Sequence, residues 1–102
     1  MTETKSLSFT RKYRVTEQTI KSRPNIYVEV WHVVRSYPFV VTLMQSYRPI
    51  ANYDGLTWER VIEVCKILNQ WGISREDFTV RGSTTYKDSD VQNELGAKKD
   101  ES

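Results

Sequence analysis

From Trp58 to Trp71 the chain repeats its apolar residues at helical spacing, and the rest of the sequence must cover the stripe that results. Trp58, Val61, Ile62, Val64, Cys65, Ile67, Leu68 and Trp71 share one side of a helix, and Glu59, Arg60, Glu63, Lys66, Asn69 and Gln70 share the other. Both ends carry boundary signals. Thr57 is placed as an N-cap, where its hydroxyl accepts a bond from an orphan amide of the first turn. Gly72 stands where a left-handed residue closes a helix, with Ile73 beyond it as the hydrophobic contact. One such helix cannot bury its own stripe, so a second layer is required.

That layer is legible upstream as strands. Leu7 to Val15 alternates, with Leu7, Phe9, Tyr13 and Val15 on one side and Arg11 as the exception. Ile26 to Val34 alternates with β-branched and aromatic residues: Ile26, Val28, Val30, His32 and Val34 face one way, and Tyr27, Glu29, Trp31 and Val33 the other. Phe39 to Tyr47 reads as a third strand, with Phe39, Val41 and Leu43 toward the core and Val40, Thr42, Met44, Ser46 and Arg48 outward. Polar residues from Thr16 to Asn25, the run Arg35 to Pro38, and Pro49 to Leu56 with its Asn52-Tyr53-Asp54-Gly55 read as connections. Phe78-Thr79-Val80 is short and β-branched enough to return as a fourth strand.

The expected fold is therefore α+β. It is a two-layer sandwich in which a three- to four-stranded, mainly antiparallel sheet carries one C-terminal helix on one face. A chain of 102 residues has room for one such domain, and its twelve aromatic rings let a small core bury much area. The expected boundaries are a flexible end at residues 1–6, a single domain over 7–82, and a disordered polar tail over 83–102. Val91 and Leu95 are too few to drive packing of that tail.

Composition excludes several classes. The stretch Met1 to Phe9 lacks the apolar run of a secretory signal, and the longest apolar run, Pro38 to Met44, is far short of a membrane span. One cysteine cannot form an internal disulfide, so a cytoplasmic protein without cofactor or membrane partner is expected. His32 and Cys65 would make a thiol–imidazole dyad only if they met, and both fall on apolar sides of their elements, where core roles explain them. One histidine and one cysteine do not make a zinc shell, and the four glycines are scattered rather than gathered into a phosphate loop. No catalytic constellation emerges, and a non-catalytic binding protein is expected.

Charge points to what it binds. Residues 1–50 hold eight Lys or Arg against three acids, and residues 51–102 hold seven against ten, so a net +2 divides into +5 and −3. If one sheet face meets the helix, the other gathers Lys12, Arg14, Tyr27, Trp31, Thr42, Met44 and Arg48, and the nearby loop adds Lys21 and Arg23. Cations neutralise phosphates and exposed rings stack on unpaired bases. The first expectation is thus a nucleic-acid-binding sheet using Lys12, Arg14, Lys21, Arg23, Tyr27, Trp31 and Arg48. The alternative is a protein-binding module or homodimer subunit using the same face, because Trp, Tyr, Met and Arg are also the residues that anchor protein interfaces.

Overall fold

A computed structural model describes residues 6–9, 13–33 and 39–96. Six strands and three helices alternate in the order β1 (Ser6–Phe9), β2 (Tyr13–Thr16), α1 (Glu17–Lys21), β3 (Ile26–His32), β4 (Phe39–Gln45), β5 (Arg48–Leu56), α2 (Trp58–Gln70), β6 (Phe78–Arg81) and α3 (Asp88–Gly96). A single 3-10 turn at Arg75–Asp77 leads into β6. The main sheet has four strands in the order β5-β4-β3-β6. Its β3–β4 and β4–β5 pairs are antiparallel and its β3–β6 pair is parallel. The α+β class and the mainly antiparallel sheet are those expected.

The long helix forms as its sequence dictates. Thr57 Oγ1 accepts from the Arg60 amide at 3.2 Å. At the other end Gly72, at φ 129°, reverses the chain: its amide donates to the Asn69 carbonyl at 3.1 Å and the Ile73 amide to the Leu68 carbonyl at 3.2 Å. These are the paired bonds of a Schellman ending, and Ile73 is buried against the core as that ending requires. Val61, Val64, Cys65 and Leu68 are fully buried from α2, and they meet Val28, Val30, Val41, Leu43 and Phe78 from the sheet in one cluster.

Four expectations are corrected. Leu7 to Val15 is not one strand but a hairpin, with Leu7 opposite Val15 and Phe9 opposite Tyr13. Folding back between residues 9 and 13 pairs odd positions with odd, so the alternation of a hairpin and of one long strand look alike. Thr16 to Asn25 is not all loop. Thr16 and Thr19 form a reciprocal capping pair that starts α1, whose Ile20 enters the core. Pro49 to Leu56 is not a loop but the body of β5. Its turn-type residues are tolerated because β5 is an edge strand with two register irregularities against β4, and an edge position spares Pro49 the missing amide. Finally, residues 83–96 do not belong to a disordered tail. Val91 of α3 is fully buried in the same core, with Leu95 packed at its margin, because α2 and β6 together leave a groove that one short helix can fill. Residues 1–5 and 97–102 lie outside the described residues.

The hairpin, α1, α2 and α3 all contribute their buried residues to that single core. The Phe9 ring meets Tyr53 of β5 at 5.2 Å, and the Tyr53 hydroxyl accepts from Arg60 of α2 at 3.0 Å, which places hairpin and helix on one side of the sheet. Two layers result, and among the described residues no element lies over the other side. None of the helices described is long and apolar enough to cross a membrane.

Candidate functional site

Register fixes the composition of the uncovered face. Tyr27 stands opposite Met44, Glu29 opposite Thr42, and Trp31 opposite Val40. On the β6 side Glu29 neighbours Thr79 and Trp31 neighbours Arg81, while on the β5 side Thr42 faces Asn52. A polar row of Asn52, Thr42, Glu29 and Thr79 thus crosses the sheet between two rows led by aromatics.

The face is dry at its centre. Thr42 and Met44 are only 7% and 9% exposed although they stand apart from the main core, being flanked by Tyr27, Glu29 and Trp31. Trp31 is 42% exposed, and Val33 beyond it is exposed as well. The indole Nε1 of Trp31 donates to Glu29 Oε1 at 3.1 Å, and Arg81 Nη2 lies 3.7 Å from Glu29 Oε2. Thr79 Oγ1 is buried with no hydrogen-bond partner among the described residues. One carboxylate thus orients a large ring at an otherwise uncovered surface.

The β6 edge is partly closed to strand addition, and the β5 edge is interrupted. Asp88 Oδ1 accepts from the Val80 amide at 2.7 Å and Gln92 Nε2 donates to the Phe78 carbonyl at 2.9 Å, so α3 occupies two outward groups of β6. On the opposite edge Pro49 removes a donor from β5.

The seven residues expected to act together are only partly brought together. Tyr27 and Trp31 share the uncovered face as expected, with Thr42 and Met44 beside them. Lys12 lies outside the described residues. Arg14 is exposed on the separate hairpin, opposite Ser8, and not on the four-stranded sheet. Lys21 is paired with Glu17 at 2.7 Å on the surface of α1. Arg23 Nη1 donates to Gln45 Oε1 at 3.0 Å. Arg48, expected on the outer side, pairs in register with Gln45, whose strand position is on the helix side. The two-residue turn at Ser46–Tyr47 inverts the parity, so residues 45 and 48 share a face. What sequence reasoning missed is Glu29 as the organising group. It is legible in the sequence as the one acid among the outward residues Tyr27, Glu29, Trp31 and Val33.

Cys65 is no nucleophile in this setting. Burial pushes its thiol up to about 12, and a thiol that stays protonated is inert. His32 packs its ring 5.1 Å from that of Phe39, in an aromatic cluster where Trp58 and Tyr86 stack at 4.0 Å. Among the described residues no group of His, Cys, Asp and Glu is arranged to hold a metal ion.

Fold and surface together define a small α+β domain with a mixed four-stranded sheet, one edge capped by α3, and one uncovered, tryptophan-bearing face. Comparison with protein-family models, curated proteins and solved structures finds no match.

Proposed function

We propose that the chain binds another protein through the uncovered face of its sheet, with Trp31 as the anchor of the contact. The observation that carries this reading is the pose of Trp31: a large ring, partly exposed, hydrogen-bonded to Glu29 on a face whose centre is already dry. Anchors of protein interfaces are rigid aromatic side chains at desolvated positions, since little side-chain freedom is lost when they dock. At the β6 edge, the groups that α3 occupies favour a partner that docks on the face over one that adds a strand there. Arg81 and Glu29 offset each other beside Trp31, so this part of the face offers phosphates no net positive charge.

Nucleic acid is the second reading, and one observation favours it. Arg23 and Arg48 both neighbour Gln45 at the β4–β5 end of the sheet, next to Tyr47. Affinity capture with wild type and Trp31→Ala, with and without nuclease and at low and high salt, separates the two. Light scattering on the purified chain reports self-association. A partner or second copy that survives nuclease and high salt, and is lost in a folded Trp31→Ala variant, supports protein binding. Capture that disappears with nuclease and falls steeply with salt would replace it with the second reading. A monomer with no Trp31-dependent capture refutes it.

A further inference from the structure

At the end of the sheet where β3 begins and β4 turns into β5, Asn25, Ile26, Tyr27, Ser46, Tyr47 and Asp77 line a pocket of about 500 Å³. Its size is within the range of small-ligand sites. Asn25, Ser46 and Tyr47 have φ of 57°, 51° and 70°, and among the described residues every non-glycine residue with positive φ lines this one pocket. Ser46 and Tyr47 are the two central residues of a tight hairpin turn, a place that Asn-Gly suits and that Ser-Tyr does not. The core does not demand the tyrosine, since Tyr47 is 89% exposed. Left-handed backbone at side chains that packing does not require is a reason to look for a role in binding.

The chemistry of the wall selects the ligand. The rings of Tyr27 and Tyr47 meet edge to face with centroids 6.3 Å apart. Ring faces are electron-rich and attract cations. Among the described lining residues Asp77 carries the formal charge, and it is negative. Arg23 and Arg48, two cations at this end of the sheet, both neighbour Gln45 and lie outside the lining. Ser46 Oγ and the two phenol oxygens add acceptors. An anion would face Asp77, and an apolar ligand would leave the Asp77 carboxylate unanswered, whereas Asn25 Nδ2 already donates to Ser46 Oγ at 3.4 Å.

We propose that this pocket binds an alkylammonium cation between the Tyr27 and Tyr47 rings and the Asp77 carboxylate. The cation comes either as a free amine or as a lysine side chain of a polypeptide. The site is separate from Trp31 and does not depend on the protein-binding reading.

The test is an NMR titration of the full chain with tetramethylammonium chloride, with butylamine hydrochloride, and with short lysine-containing and alanine-containing peptides. Sodium chloride at matched ionic strength is the control. Saturable shifts confined to Tyr27, Ser46, Tyr47 and Asp77 are expected with the cations and absent with sodium and the alanine peptide. Tighter binding of the lysine peptide than of butylamine assigns the source to a polypeptide, and equal binding assigns it to free amines. Tyr47→Gly, which the turn accommodates, and Asp77→Asn should each weaken binding by roughly 5-fold or more, while Trp31→Ala leaves it unchanged. No saturable, pocket-confined response to any cation, or the same response in both pocket variants, overturns the proposal.

Discussion

The indole nitrogen of Trp31 donates to the carboxylate of Glu29, two residues back on the same face of β3, at 3.1 Å. Successive same-face positions of one strand thus combine a ring and the group that orients it, and Arg81 from the neighbouring strand stands behind the carboxylate. Trp31→Ala is expected to change stability by less than about 1 kcal/mol, because the ring is partly exposed and its bond is at the surface. If the face binds protein, the same variant should lose about 2 kcal/mol or more of affinity. Chemical denaturation and a binding isotherm on one preparation check both.

Helix α3 is expected to be part of the folded domain. Val91→Ala removes two buried methyl groups from the shared core and should cost about 2 kcal/mol in urea denaturation. Leu68→Ala, on the fully buried side of α2, should cost on the order of 2–5 kcal/mol. A Val91→Ala chain as stable as wild type would show that α3 does not contribute to the fold.

Stability should fall in alkali because of Cys65. Its folded thiol is raised to about 12 by burial, above its ordinary value. The unfolded chain therefore releases this proton first, and the folded chain holds it. The contribution is fully present below about pH 9 and is lost as pH climbs toward 12, at about 1.4 kcal/mol per pH unit. The difference between wild type and Cys65→Ala in denaturation midpoint across that window isolates it from other groups. A thiol reagent should stay unreactive until the protein unfolds.

The β4–β5 turn should be improvable at the expense of binding. Replacing Ser46-Tyr47 by Asn-Gly relieves left-handed backbone at both positions and is expected to raise stability by about 1–2 kcal/mol. A thermal melt checks this. A lower melting temperature would mean that the Tyr27–Tyr47 ring contact contributes more than the strained backbone costs.

Much of the fold was legible because local signals and long-range packing agreed. Thr57, the stripe from Val61 to Leu68, and the Gly72-Ile73 ending each act within a few residues, and the structure repeats them. The faces of β3 and β4 were legible too, since Val28, Val30, Val41 and Leu43 leave one packing solution for a half-buried pair. The candidate face was half legible: its rings were identified, but its charge was not.

By itself the sequence determined the α+β class, the long helix with both its ends, and the ring-bearing side of the central strands, because each follows from periodicity within one element. Only the tertiary structure decided where the chain reverses, and those reversals settled the rest. Three intervening residues between Phe9 and Tyr13 preserve parity, so the hairpin was indistinguishable from a strand. Two between Gln45 and Arg48 invert it and carry Arg48 to the other face. Likewise, Val91 is too isolated to organise residues 88–96 alone, and is buried only because α2 and β6 present a surface that no local pattern encodes.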